Sequence, residues 1–147
     1  MIYDFQIAID SQHPHELADW WAETLGWQVE PQNENFIKEM IAQGHASDAD
    51  TIIHNGALVW REGAAIRHPD DLAGGGTWPR VLFQTVPEGK TIKNRMHLDL
   101  RPEAADRDAR IAELTARGAT VLHTGAQGPH HTWVTMTDPE GNEFCVT

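Results

Sequence analysis

Two distant stretches of the chain share one alternation of side chains. Every second residue is a large apolar one in residues 5–10 and again in residues 96–101, which is the period of a half-buried β-strand. When the two stretches are aligned, Gln6 falls on His97. An alternation that returns in this way favours a fold built from two related halves.

The residues that follow each of these strands repeat as well. Apolar residues at helical spacing predict one helix over residues 14–25 and another over residues 103–117. Gly26 and Gly118 stand at the ends of these helices, where a left-handed backbone conformation is common. A short strand follows each glycine, so the pattern indicates an internal duplication of a βαβββ unit.

We predict one α+β domain over residues 1–147, made of two βαβββ modules. The first module covers about residues 1–88 and the second about residues 93–147. Residues 33–55 are predicted to be a helical insert in the first module. Apolar residues recur there at helical spacing, and the second module has no counterpart.

Strands are predicted at residues 2–10, 27–30, 57–62, 64–67 and 80–86, and then at residues 96–101, 119–122, 130–136 and 143–147. Residues 68–79 contain three consecutive glycines, but they have neither the lysine nor the following helix of a phosphate-binding loop. We expect this segment to be a flap or a plain connection.

Composition limits the classes of partner. The formal net charge of −11 argues against nucleic acid and anionic membranes, because both need a basic patch on the protein. No apolar run approaches the roughly 18 residues of a membrane span, and the N-terminal residues do not resemble a signal peptide. Cys145 is the only cysteine, so no intrachain disulfide can form and we expect a cytoplasmic protein.

The polar face of the second module's first strand carries His97, Asp99 and Arg101. Such a face either meets water or lines a cavity. In the first case His97 is an ordinary histidine, hydrogen-bonded to a neighbour such as Asp99. In the second case the three groups are polar anchors for a ligand. His131 and Trp133 share one face of a later strand, and we place that face in the same cavity.

Three segments of the chain resemble the vicinal oxygen chelate superfamily, which includes glyoxalase I, bleomycin-resistance proteins, fosfomycin-resistance enzymes and extradiol dioxygenases. They are residues 17–26, 93–100 and 132–146, of which the last is the most specific. The closest likeness is to the glyoxalase-like domain proteins of actinobacteria. The resemblance implies that the curved mixed sheets of the two modules form a cup, the glyoxalase/bleomycin-resistance fold.

In the metalloenzymes of that superfamily, the first and last strands of each module supply the ligands of a divalent ion. The resemblance carries these positions to Gln6, Gln84, His97 and Cys145. Metal-dependent members have a glutamate where this chain has Cys145, and amides and a thiol are weak ligands for hard ions. We therefore predict no tightly held metal or other cofactor. Zinc is the exception to watch, because His97 and a Cys145 thiolate suit it, although a lone cysteine in an apolar strand is more often a small core residue.

The resemblance and these residues together predict that the cup binds a small, largely apolar or aromatic molecule without a metal, as in resistance by sequestration. The predicted ligand-binding residues are Gln6, Gln84, His97, Asp99, Arg101, His131, Trp133 and Cys145. One alternative is a metal-dependent lyase, isomerase or dioxygenase of the same superfamily. Another is metal-free acid–base catalysis with His97 as the base. The resemblance also predicts a homodimer.

Overall fold

The computed structural model describes residue 1, residues 3–72 and residues 78–147. The helices are α1 (Pro14–Leu25), α2 (Glu34–Ala42), α3 (Pro69–Leu72) and α4 (Arg107–Ala116), with a short 3-10 turn at Asp48–Asp50. The strands are β1 (Ile7–Ser11), β2 (Gln28–Val29), β3 (Thr51–His54), β4 (Ala57–Trp60), β5 (Gly63–Arg67), β6 (Val81–Thr85), β7 (Asp99–Leu100), β8 (Thr120–Gln127), β9 (His131–Thr137) and β10 (Glu143–Val146). The predicted glycine-rich connection includes residues 73–77, which lie outside the described residues.

The chain divides into two compact units, Met1–Glu88 and Gly89–Thr147. The four-stranded sheet of the first unit has the order β1-β6-β5-β2, and that of the second unit has the order β7-β10-β9-β8. In each sheet the first strand lies parallel to the last one, and the other neighbours are antiparallel. The predicted class, an α+β fold of two βαβββ modules with mixed sheets, is confirmed.

In the first unit, α1 covers one face of the sheet by packing on β5 and β6. The helix begins with Pro14, as predicted, because the missing amide of proline would have no helical partner there. Leu17 and Trp21 are buried against this face, as are Ile66 and Phe83 of the sheet. Each such side chain contributes roughly 1.5–3 kcal/mol on burial. The opposite face of this sheet is therefore free to line a cavity.

The second unit has a smaller core. Its large buried apolar side chains are Leu114 of α4 with Met136, Phe144 and Val146 of the sheet. Residues of β9 and β10 alternate between this core and the other face, so Thr135 and Cys145 point away from Met136 and Phe144.

The ladder registers show which residues of the first and last strands lie side by side in each sheet. Asp10 pairs with Gln84 in the first sheet, and Asp99 pairs with Cys145 in the second. The next hydrogen bonds also match. The amide of Val86 donates to the carbonyl of Ser11 at 2.9 Å, and the amide of Thr147 donates to the carbonyl of Leu100 at 3.0 Å. If Gln84 is aligned with Cys145, as the resemblance implies, Asp10 therefore corresponds to Asp99.

The predicted equivalences of Gln6 with His97 and of Gln84 with Cys145 cannot both hold, because the ladder registers place them two residues apart. With Asp10 equivalent to Asp99, the residue at the place of His97 is Ala8. The alternation is the same for both alignments because a shift of two keeps every side chain on its face. Periodicity alone could not separate them.

The first strand of the second unit is shorter than predicted. Only Asp99–Leu100 is strand, although Leu98 already accepts a hydrogen bond from the amide of Cys145 at 2.9 Å. Met96 was expected in the core, but it is 84% exposed. It precedes the ladder, where the strand alternation no longer fixes the direction of a side chain. In the same way β1 begins at Ile7 and leaves Phe5 exposed.

The insert extends beyond its predicted end at residue 55, because it contains the hairpin of β3 and β4 in addition to the predicted helix α2. β3 pairs with β4 in a separate two-stranded sheet, so the predicted strand at residues 57–62 does not join the main sheet. Asn55 and Gly56 make the turn with φ of 49° and 80°, values that suit a two-residue hairpin turn. No helix among the described residues is both long and apolar enough to cross a membrane.

Candidate ligand-binding site

A cavity of about 360 Å³ opens on the second sheet, on the face opposite the core. This volume falls within the range of sites for small molecules, roughly 300–1,000 Å³. The side chains on its wall come from β7 to β10 and from the segments beside them. They are Lys93, His97, Asp99, His123, Gln127, His131, Trp133, Thr135, Glu143, Cys145 and Thr147.

Trp133 is held in this wall by a glycine on the neighbouring strand. β8 and β9 are antiparallel and Gly125 lies opposite Trp133. A Cβ atom at residue 125 would overlap the indole at Cε2, Cζ2 and Nε1. The indole therefore lies directly on the backbone of β8 and also lines the cavity. His131 flanks it, with ring centroids 5.6 Å apart and the planes tilted by 46°.

A histidine, a carboxylate and a thiol meet beside this indole. His97 Nε2 lies 3.3 Å from Asp99 Oδ1, and Asp99 is the ladder partner of Cys145. One donor atom from each of the three residues lies within 4.8 Å of the other two. The Cys145 thiol is also 3.7 Å from the hydroxyl of Thr135. Cys145 is 9% exposed, whereas His97 and Asp99 are exposed.

Glu143 lies on the same face of β10 as Cys145, but its carboxylate is engaged in hydrogen bonds. Its carboxylate accepts from Lys90 Nζ at 3.0 Å and from the backbone amide of Asn94 at 2.9 Å. Burial by itself would raise the pKa of Glu143, but these hydrogen bonds outweigh it and lower that pKa to about 2. Glu143 therefore remains a charged structural group that ties the segment before His97 to β10.

The predicted site residues are not all brought together. His97, Asp99, His131, Trp133 and Cys145 all lie on the cavity wall. Arg101 is exposed beyond β7 and is not on that wall.

Gln6 and Gln84 belong to the first unit. Gln6 accepts a hydrogen bond from Arg80 at 3.0 Å, and Gln84 donates one to Asp10 at 3.0 Å. The structure therefore gives both amides partners within the first unit.

Sequence reasoning missed His123, Gln127 and Lys93. The first two lie on β8 at a spacing that keeps them on the cavity face. Their signal was present, since residues 123, 125 and 127 alternate with residues on the other face. The predicted strand ends at residue 122 instead, because Gly125 is also typical of a turn.

The chemistry of the donor atoms at His97, Asp99 and Cys145 indicates which metal they could hold. Imidazole nitrogen, one carboxylate oxygen and a thiolate sulfur are zinc ligands, and three protein ligands leave a fourth position open. Magnesium and calcium prefer oxygen ligands, so they suit this set poorly. Asp99 supplies the carboxylate that the predicted set of Gln6, Gln84, His97 and Cys145 lacked.

The paired βαβββ modules place the chain in the glyoxalase/bleomycin resistance/dioxygenase class of folds. The sequence profile of the glyoxalase-like domain family matches residues 6–147. The chain therefore belongs to the glyoxalase-like domain family, within the vicinal oxygen chelate superfamily.

Solved structures agree with this assignment. A glyoxalase/bleomycin resistance protein/dioxygenase family enzyme from Burkholderia phytofirmans PsJN has a TM-score of 0.60 at 14% identity, covering 98% of this chain and 97% of its own. A superfamily member from Sphaerobacter thermophilus DSM 20745 has a TM-score of 0.56 at 17% identity, covering 99% and 96%. The oxidase ChaP-H2 has a TM-score of 0.54 at 12% identity, covering 99% and 92%. At these identities the likeness shows the fold alone, and no curated protein matches the chain.

Proposed function

We propose that the cavity of the second unit binds a small molecule with a flat, largely apolar ring system. The observation that carries this proposal is the position of Trp133, whose indole rests on Gly125 and lines the cavity. A rigid aromatic wall of this kind favours stacking with another ring, worth roughly 0.5–1.5 kcal/mol beyond the burial of area. Binding without a metal is part of the proposal.

The pair of His97 and Asp99 supports a polar anchor at one side of the ring. An imidazole offers one donor and one acceptor when neutral, and the carboxylate 3.3 Å away favours a proton on the nitrogen that faces it. The other ring nitrogen is then an acceptor for a ligand hydroxyl or amine. One such hydrogen bond contributes about 0.5–1.5 kcal/mol.

Ligand-observed NMR with a set of one- and two-ring phenols and heteroaromatics tests this proposal. We expect Trp133→Ala to weaken the bound members at least tenfold, since it removes both stacking and buried area. We expect His97→Ala to weaken them about fivefold. Trp78→Ala is the matched control, because Trp78 belongs to the first unit and is 54% exposed. Equal binding to the wild type and to Trp133→Ala would refute the proposal.

A second candidate function is a metal-dependent lyase or isomerase, with zinc as the ion that suits the three donors. It is favoured by the cluster of His97, Asp99 and Cys145, which could hold the ion. Zinc would act as a Lewis acid toward a substrate oxygen. Elemental analysis of protein purified without added metal separates the candidates. We expect less than about a tenth of an equivalent of zinc, given the exposure of two of the three donors. Near-stoichiometric zinc that is lost in both Asp99→Asn and Cys145→Ser would favour the enzyme.

A further inference from the structure

Side chains on the wall of the second unit's cavity lie in rows that the strand registers define. Thr135 of β9 lies opposite Cys145 of β10 on one side and opposite His123 of β8 on the other. Cys145 in turn lies opposite Asp99 of β7. All four side chains line the cavity, and neighbouring strands are about 4.8 Å apart. These four residues form a polar row across the sheet, which we call the inner row.

A second polar row lies four residues away along β8 and β9. There Gln127 lies opposite His131, and both side chains line the cavity. Four residues of an antiparallel strand span roughly 13–14 Å. Thr135 of the inner row is 7% exposed, whereas Gln127 and His131 are exposed. The pair of Gln127 and His131 is therefore an outer row, at the open end of the cavity.

Trp133 lies midway between the two rows on β9. Its ladder partner is Gly125, so no side chain of β8 competes with the indole for this position. Along the strands the wall is therefore polar at the inner row, aromatic in the middle and polar again at the outer row. A ring stacked on the indole has hydrogen-bonding groups beyond each of its two ends.

The outer row is available to a ligand because the protein does not use its hydrogen-bonding groups. Among the described residues, neither the side-chain amide of Gln127 nor the ring of His131 has a hydrogen-bonding partner. The His131 ring only contacts Trp133, with 5.6 Å between the ring centroids. An amide and a neutral imidazole each offer a donor and an acceptor. A hydroxyl group, which also donates and accepts, matches this row.

The inner row offers the same chemistry at the more closed end. Asp99 Oδ1 faces His97 Nε2 at 3.3 Å, and a carboxylate with two oxygens keeps further acceptor positions. The ring of His123 has no hydrogen-bonding partner among the residues that the structure describes. A hydroxyl group at this end can therefore donate to Asp99 or accept from an imidazole.

We propose that the ligand of this cavity is an elongated molecule of two fused aromatic rings with a hydroxyl group at each end of its long axis. This inference rests on the proposed function, because it takes the stacking on Trp133 as given. Such a molecule, with a hydrogen bond of about 2.7–2.8 Å at each end, matches the roughly 13–14 Å between the two rows. Gln127 and His131 are then specificity-determining residues, which favour a ligand that is polar at both ends.

Three naphthols with the same ring system are matched probes of this proposal. In 2,6-dihydroxynaphthalene the hydroxyl groups lie at the two ends of the long axis, and in 1,5-dihydroxynaphthalene they lie on its long sides. 2-Naphthol has one hydroxyl group, at one end. In ligand-observed NMR titrations we expect the 2,6-isomer to bind at least threefold more tightly than either of the others, because only this isomer can make hydrogen bonds to both rows.

Gln127→Met separates recognition by the outer row from simple stacking, since methionine has a similar length but lacks the amide. It should weaken binding of the 2,6-isomer at least threefold. It should change 2-naphthol less than twofold, because the single hydroxyl group of that ligand can bind at the inner row. A variant that fails to fold would lose both ligands, so the difference between them reports the amide alone.

Gln28→Met is the matched control, because Gln28 is exposed on β2 of the first unit. It should leave all three affinities within twofold. In ¹⁵N-labelled protein, the side-chain amide signal that disappears in Gln127→Met should shift more with the 2,6-isomer than with the 1,5-isomer. This comparison places the second hydroxyl group at the outer row independently of the affinities.

Equal affinities of the 2,6- and 1,5-isomers would overturn this proposal, and so would equal effects of Gln127→Met and Gln28→Met on the 2,6-isomer. If all three naphthols bind and each is weakened by Trp133→Ala, but the position of the hydroxyl groups makes no difference, the proposed function stands and only the two-ended recognition is wrong. If none of the three binds, both are wrong.

Discussion

Lys90 holds both oxygens of the Glu143 carboxylate, with Nζ 3.0 Å from Oε1 and 2.9 Å from Oε2. The amide of Asn94 donates to Oε2 as well. These contacts fasten the start of the second unit to β10, two residues from Cys145. The segment that leads to His97 is thus positioned by a partly buried ion pair rather than by a strand ladder.

The pKa of Glu143 predicts how stability depends on pH. The folded-state pKa of about 2 lies below the ordinary value of 4.5. The contribution of the ionised Glu143 carboxylate to stability is therefore fully present above pH 4.5 and is lost as the pH falls toward 2. At pH 7 we expect Glu143→Gln to lower the free energy of unfolding by about 1–3 kcal/mol. Urea denaturation at pH 7 and at pH 3 measures this difference, which should shrink at the lower pH.

Glu103→Gln is the control for this prediction, because Glu103 is exposed in the same unit. It should change the free energy of unfolding by less than about 0.5 kcal/mol at either pH. If the cost of Glu143→Gln were the same at pH 3 as at pH 7, the ion pair with Lys90 would not be its cause.

The fold could be predicted from the sequence where local signals agree with one another. Pro14 and Gly26 mark the ends of α1 as expected. The duplication was visible because the same alternation, helix and glycine occur twice. The exact alignment of the two modules was not visible. Placing either Gln6 or Ala8 opposite His97 leaves every apolar position matched, because the two alignments differ by a shift of two residues.

The cavity wall could be predicted only in part. Cys145 and His97 stand in motifs that are specific enough to identify, but Asp99 was seen as a neighbour of His97 rather than as the ladder partner of Cys145. Gly125 was misinterpreted because a glycine in a strand can mark a turn or a close approach. The sequence does not say which, since the indole that approaches it lies on another strand.

We expect two copies of the chain to associate. β8 is an edge strand of the second sheet, and its Val121 and Leu122 are 45% and 49% exposed. Exposed apolar residues on an edge strand favour contact with another chain. A bulge between Val121 and His123 interrupts the ladder, so side chains rather than continuous strand pairing would make the contact.

Light scattering at increasing protein concentration measures this association. The wild type should have the mass of a dimer, and the double variant with Val121→Lys and Leu122→Lys should have that of a monomer, because two lysines would remove the apolar side chains that make the contact. A double variant with lysine at the exposed positions Thr115 and Ala116 of α4 is the control. A wild type that stays monomeric at high concentration would contradict the expectation.

The hairpin of the insert should depend on Gly56. Its φ of 80° is a conformation that side chains with a Cβ adopt at a cost of about 1–2 kcal/mol. We expect Gly56→Ala to raise hydrogen exchange at the amides of β3 and β4. The turn is also fastened to α1, since Asp19 accepts from His54 at 2.7 Å and from Asn55 at 3.0 Å.

Gly128→Ala provides the matched comparison, because Gly128 has a φ of 70° in the turn between β8 and β9. It should raise exchange in that hairpin and leave β3 and β4 protected. Equal effects of both substitutions on both hairpins would mean that the two units unfold together rather than locally.

Gly125 is predicted to matter only because of Trp133. Its backbone does not have positive φ, so an alanine can adopt the same conformation. Without a clash, the substitution should stabilise the protein by about 0.4–1 kcal/mol, because alanine lowers the conformational entropy of the unfolded chain. In the wild type, however, the new methyl group meets the indole, and such overpacking costs about 1–3 kcal/mol. We therefore expect Gly125→Ala to destabilise the wild type but to stabilise Trp133→Ala.

Urea denaturation of the four proteins of this double-mutant cycle measures the coupling between residues 125 and 133. The same free-energy change in both backgrounds would show that the indole is not held by β8, and the rigid aromatic wall on which the proposed function rests would then be absent.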